Sequence, residues 1–191
     1  MVSRERILEA AARVYAKHGF RGATTRLIAA EAGVNEVTLF RTFGSKGALL
    51  EAVLEANDHC QQIRLLPDPP VDPEEELTAW VNDHLRRVRD MRPMLIHAIS
   101  ELDERPEVAE FACRGRVEVH VILDEYVAAL RRLGRADPEA DTFAAVTMLI
   151  SSVMGDAMGR SMAPDSFPPA EEAARRYVRC FLRAIGAGPC R

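Results

Sequence analysis

The densest run of chemistry-bearing residues in this chain is Thr24 to Lys46, TTRLIAAEAGVNEVTLFRTFGSK. Hydroxyls, an amide, two carboxylates and three basic groups alternate there with small and branched apolar residues. The spacing predicts two short helices joined by a tight turn, the helix-turn-helix that places a second helix in the DNA major groove. Thr24 and Asn35 stand where each helix would begin, each able to accept from a free first-turn N–H. Gly33 falls at the turn, where a positive φ is expected. Ile28, Ala29, Val34, Leu39 and Phe43 are predicted to face inward, with Ala29 small enough for close helix approach. Glu36, Val37, Thr38, Phe40, Arg41 and Thr42 are left to face outward or to border the core. Such a mixed surface suits base edges and phosphates.

With these residues the chain resembles the TetR/AcrR family of one-component transcriptional regulators. The resemblance rests on Gly19-Phe20, Thr24-Thr25-Arg26, Ile28-Ala29, Ala32-Gly33-Val34, Thr38-Leu39-Phe40, Phe43, Ser45-Lys46 and Ala48-Leu49-Leu50, and it covers about the first 60 residues. It implies that Thr24, Thr25 and Arg26 meet phosphates and groove edges. It also implies that Asn35, Glu36, Val37, Thr38, Phe40, Arg41 and Thr42 form the recognition surface, and that Lys46 holds the DNA backbone. Four positions depart from the family pattern. Ala23 stands where Thr is frequent, Leu27 where a polar residue is usual, and Gly47 where an acidic helix former is usual. Phe40 stands where a Tyr hydroxyl often meets a phosphate.

The elements that position this motif read as helices throughout. Ser3 can cap a first helix whose apolar residues Ile7, Leu8, Ala11, Ala12, Val14 and Tyr15 recur at helical spacing, with Gly19 as its stop. Ser45 can cap a fourth helix that carries Leu49, Leu50, Val53 and Leu54 and links reader to body. Pro67-Asp68-Pro69-Pro70 marks a boundary. It divides the chain into a helix-turn-helix domain, residues 1–60 with the motif at 24–43, and a helical ligand-binding and dimerisation domain, residues 61–191. Asp72, Pro73 and Glu75 read as cap, first-turn proline and capping-box acid of a fifth helix. Pro93 is expected to restart a sixth, Pro106 a seventh, Asp137-Pro138 an eighth and Pro168-Pro169 a ninth. The expected fold is all-α, with about nine helices.

Composition narrows the class. The 191 residues are 48% hydrophobic and 28% charged, an ordinary globular balance. The net charge is −4, yet residues 1–50 hold eight Arg and Lys against four Glu, leaving −8 for the rest. A basic end on an acidic body directs one face toward phosphate. Cys60, Cys113, Cys180 and Cys190 show no metal or disulfide spacing, so reduced thiols and no metal are expected. The charged start MVSRERILEA lacks a signal core, and no apolar run is expected to span a bilayer. The expectation is a cytoplasmic protein with no membrane partner.

No GxSxG, P-loop or Gly-rich dinucleotide turn occurs, and the Glu-x-x-His pairs of di-iron bundles are missing. No enzyme and no cofactor are expected. The segment Phe143–Met158 is apolar nearly all round, with Ser151, Ser152 and Gly155 interspersed and Gly159 following, and so predicts burial on two sides. Together with the ninth helix (Ala173, Ala174, Tyr177, Val178, Phe181, Leu182, Ile185), it is the expected seat of a two-fold dimer, since a reader of this type uses two half-sites. Closure of a monomer core is the alternative. Trp80, His84, Met94, His97, Phe111, His120, Tyr126, Met148 and Met154 are candidate pocket residues for a hydrophobic or aromatic effector. Each could instead be core, and His97 with Glu101, at i, i+4, could hold a polar group or make a surface hydrogen bond. By its resemblance the chain is expected to be a ligand-responsive regulator, a repressor released from a palindromic operator by its effector. The alternative is a helical ligand-binding dimer whose specific DNA binding is weak or lost.

Overall fold

Helices supply all the regular structure of the computed structural model, which describes residues 3–56, 65–100 and 106–187. They are α1 (Arg4–Gly22), α2 (Thr25–Ala32), α3 (Glu36–Phe43), α4 (Lys46–Ala56), α5 (Pro73–Ser100), α6 (Pro106–Arg132), α7 (Thr142–Gly159) and α8 (Ala173–Ala184), with a 3-10 turn at Pro164–Ser166. The all-α expectation is met. Two compact units result, Met1–Gln61 with Pro93–Cys113, and Gln62–Arg92 with Arg114–Arg191.

In the first unit, polar residues start the helices and small apolar residues let them close up. Ser3 Oγ accepts from Arg6 N at 3.3 Å, Thr24 Oγ1 from Leu27 N at 3.2 Å, Asn35 Oδ1 from Thr38 N at 2.9 Å and Ser45 Oγ from Ala48 N at 3.0 Å. Each satisfies a first-turn donor that the helix cannot pair. Gly19 breaks the regular path of α1 at φ 65°, and Gly33 ends α2 in the left-handed conformation at φ 69°, ψ 36°. Ile7, Leu8, Tyr15, Ile28, Ala29, Ala32, Leu39, Leu49 and Val53 form the core, with Met94 joined to it and Val34 and Phe43 partly buried against it. Ala29 and Ala32 keep α2 close to its neighbours; a longer side chain there would overfill the core.

Beyond α4 four boundaries depart from expectation. The capping-box acid of α5 is Glu76 rather than Glu75: its carboxylate accepts from Val71 N and Asp72 N, each at 2.9 Å, while Glu75 pairs with Arg175. Pro93 does not restart a helix but lies inside α5. Proline there forgoes one backbone hydrogen bond. On the second-unit side of it Arg92 Nε donates to the Met158 carbonyl at 3.0 Å, and in the first unit Met94 is buried. Asp137-Pro138 forms a turn, with Asp137 accepting from Glu139 N, and α7 begins only after Asp141, which accepts from Ala144 N at 2.9 Å. Pro168-Pro169 likewise precedes a turn, because Glu172 N donates to the Pro169 carbonyl, and α8 starts at Ala173.

A fifth correction concerns α7. Its 18 residues are long and apolar enough to cross a membrane by length and composition. The expectation that no run reaches that length overlooked how little Ser, Thr and Gly reduce apolar character. About 39% of that helix is buried within the chain. Its buried face, Ala145, Val146, Leu149, Ile150, Val153 and Ala157, meets α8, whose Ala173, Ala174, Val178, Phe181 and Leu182 are buried in turn.

Candidate nucleic-acid interface

The outward surface of the first unit is set by α3 and the start of α2. On α3, Leu39 is buried and turns Val37, Phe40 and Arg41 to the exposed side, with Val37 73% and Phe40 49% exposed. These three stand at i, i+3 and i+4, the spacing that shares one helix face. Arg26 and Thr42 are also exposed.

Hydrogen bonds within the unit engage most of the polar candidates. Thr25 Oγ1 donates to Glu36 Oε2 at 2.7 Å, joining the first turn of α2 to the first turn of α3. Thr38 Oγ1 donates to Asn35 Oδ1 at 3.0 Å, and Thr42 Oγ1 to the Thr38 carbonyl at 2.8 Å. Lys46 is half-buried; its ammonium donates to the Phe20 carbonyl and lies 4.2 Å from the centre of the Phe20 ring. Both contacts tie the start of α4 to the α1 segment after Gly19. Arg4 sits 5.3 Å over the Phe43 ring, and Arg13 pairs with Glu31 at 2.9 Å. The Thr25–Glu36 link was not anticipated. A short polar side chain opening one helix and a carboxylate opening the next was the signal available for it.

The described effector candidates fall in both units. Met94 and His97 belong to the first unit, where Met94 is core and the His97 ring lies 6.2 Å from that of Tyr15. In the second unit Trp80 is buried and stacks on His84 at 5.3 Å, and His120 stacks on Phe143 at 5.4 Å. Tyr126 is buried and donates to Glu76; burial first, then that carboxylate, push its phenol far above the usual range. Met148 and Met154 lie on the exposed side of α7 with Phe143. The side chain of Phe111, and Glu101, lie outside the described residues. Cys180 is a free, exposed thiol, while Cys60 and Cys190 also lie outside the described set, as does the Cys113 side chain.

Asp156, the only charged residue of α7, was not singled out from the sequence, although its isolation in an apolar helix was the available signal. It is fully buried and accepts from Arg89 Nη2 at 3.0 Å, Arg160 Nε at 2.7 Å and Tyr177 Oη at 2.9 Å. Burial alone would raise its pKa. The hydrogen bonds from Arg160, Arg89 and Tyr177 outweigh burial and hold the carboxyl below the ordinary aspartate value. The Tyr177 phenol, through burial and this carboxylate, is pushed up to about 12. One carboxylate thus fastens α5, α7 and α8 together.

Residues 7–53 match the family model of the bacterial regulatory proteins of the tetR family. The chain is 34% identical over 97 residues to the HTH-type transcriptional repressor SCO4008 of Streptomyces coelicolor, and 48% identical over 50 residues to the uncharacterized HTH-type transcriptional regulator YvkB of Bacillus subtilis. These matches cover 51% and 26% of this chain, and 47% and 26% of those proteins, so the chain spans less than half the length of either relative. The fold is similar to that of GusR from Salmonella enterica, with a TM-score of 0.74 at 21% identity over 95% of this chain and 94% of that one. Residues 7–53, from α1 to α4, thus carry the helix-turn-helix pattern of the tetR family.

Proposed function

We propose that the chain is a transcriptional repressor that binds a palindromic DNA operator as a homodimer and leaves it when a small hydrophobic or aromatic effector binds. DNA reading is assigned to residues 1–60, and effector and partner binding to residues 61–191. The observation that carries the reading is the exposed face of α3, with Val37, Phe40 and Arg41 presented by a helix-turn-helix of the matched family. The excess of four positive charges in residues 1–50 favours approach to phosphate. The SCO4008 protein is named a repressor, which supports the sign of the response.

The dimer is assigned to α7 and α8. Its support is the exposed apolar side of α7, where Phe143, Met148 and Met154 stand among Ser151, Ser152 and Gly155. Release is a population shift: an effector preferring a conformation with mismatched reader spacing must discriminate by about 5 kcal/mol to swing the population almost completely. The protein acts in the cytoplasm and has no catalytic role in this reading.

Selection of bound duplexes from a random pool near physiological salt tests the proposal. Enrichment of a palindrome, bound by two chains, is the expected result. Salt-sensitive binding without any enriched sequence would overturn it and leave a helical ligand-binding dimer.

A further inference from the structure

From the polar bookkeeping of α3 we infer that this reader identifies its operator through thymine methyl groups, with Val37 and Phe40 as the specificity-determining residues. The inference rests on the DNA-binding reading above and says which chemistry of the base pairs is read.

A recognition helix distinguishes bases by hydrogen bonds to their edges or by apolar contact with the thymine 5-methyl group. On α3 the hydrogen-bonding route is largely used up inside the protein. The Glu36 carboxylate, a possible acceptor for cytosine, takes the Thr25 hydroxyl at 2.7 Å. The Thr38 and Thr42 hydroxyl protons go to Asn35 Oδ1 and to the Thr38 carbonyl. Thr24 and Asn35 hold their oxygens on the first turns of their own helices. What they retain is a donor at a helix start, suited to phosphate, which positions the protein without reading sequence.

The face left for the bases consists of Val37, Phe40 and Arg41. Leaving two branched or aromatic side chains exposed at 73% and 49% on an eight-residue helix has no packing rationale inside the unit, since Leu39 supplies the core contact. Apolar carbon beside a groove is satisfied by the one apolar group the major groove displays. Arg41 adds a single cation at the same face, able to meet guanine O6 and N7 or a phosphate.

The test uses the full chain, the duplex enriched from a random pool, and copies of that duplex with individual thymines replaced by deoxyuridine. This exchange removes a methyl group and leaves every hydrogen-bonding group of the base pair in place. The expected result is a loss of roughly fourfold in affinity for each contacted methyl removed, the worth of burying about one methylene, with an unchanged salt slope. Val37→Ala should lose affinity for the thymine duplex and lose much of its discrimination between thymine and deoxyuridine at one position. Alanine favours the helix, so folding of α3 is preserved. Glu36→Gln should leave base preference unchanged.

An enriched duplex whose affinity ignores every thymine-to-deoxyuridine exchange overturns the methyl reading alone. So does a deoxyuridine loss that is equal in the wild type, Val37→Ala and Phe40→Ala, because the loss then comes from the duplex. A changed base preference in Glu36→Gln would return readout to the carboxylate. Failure to enrich any duplex overturns the DNA-binding reading itself.

Discussion

Ser3, Thr24, Asn35 and Ser45 hold their polar atoms at exposed helix starts in the first unit, whereas the second unit takes a carboxylate, Asp156, wholly out of solvent. The two arrangements solve different problems. Caps satisfy donors that would otherwise be unpaired, each contributing about 1 kcal/mol, and the atoms they leave over still face water. A buried carboxylate must be matched on the spot, and here Arg89 of α5, Arg160 just past α7 and Tyr177 of α8 do so. A unit that must meet another molecule keeps its polar groups local and shallow. A unit that must hold one helix arrangement can fix it with a buried charge, at the risk that losing a partner is severe.

The largest effect should come from breaking that charge cluster. Asp156→Ala leaves two guanidinium groups and a phenol facing each other without their acceptor, and should destabilise the second unit by about 3 kcal/mol, read from urea unfolding. The pH dependence follows from the same carboxylate. Its folded pKa lies below the unfolded value, so its contribution is complete above the ordinary aspartate range and fades as pH falls through the folded value. Asp156→Asn should therefore flatten the acid limb of the stability profile. An unchanged limb would mean that the cluster is not coupled to unfolding.

The next effect sits in the turn of the reader. Gly33 is at φ 69°, and a Cβ added there would have Arg6 Nη2 as its nearest neighbour, at 3.5 Å. Space is available, so Gly33→Ala isolates backbone strain and should cost about 1–2 kcal/mol. Gly33→Asn should cost less, because Asn tolerates the left-handed region better. Equal losses for the two variants would show that something other than φ governs the turn.

Removing a cap should cost slightly less. Asn35→Ala deletes the acceptor of both Thr38 N and the Thr38 hydroxyl, with an expected loss of about 1 kcal/mol. Asn35→Asp or Asn35→Ser should restore most of it. Amide exchange at Thr38, one of the first-turn donors of α3, is the sensitive readout.

Legibility in the sequence followed the same divide. The reader's helices were legible because their signals are local: caps at Thr24, Asn35 and Ser45, glycines where φ turns positive, and branched residues at helical spacing. Beyond α4 local signals misled at Pro93, at Asp137-Pro138 and at Pro168-Pro169, because proline marks a possible helix start or stop while distant packing decides. The role of Asp156 could not be read locally, since Arg89 lies 67 positions away in the chain. The same limit applies to Lys46. Its place after Ser45 suggests a phosphate partner, but the fold brings the Phe20 carbonyl and ring to it from 26 residues upstream.

That contrast between Lys46 and Arg26 gives the smallest expected effect on stability and the sharpest separation of roles. Arg26 is exposed on α2, so Arg26→Ala should change unfolding free energy by no more than about 0.5 kcal/mol. Its effect should lie in DNA binding: a similar loss on every duplex and a salt slope lower by about one. Lys46→Ala removes the bridge to Phe20 as well as a positive charge, so a measurable drop in unfolding free energy should accompany any binding loss. Lys46→Arg keeps the charge while altering the compact ammonium that fits over the ring, and therefore separates packing from charge. If Lys46→Ala leaves stability unchanged and lowers only the salt slope, Lys46 belongs with Arg26 on the phosphate side, and the Phe20 contact contributes nothing to holding α4 in place.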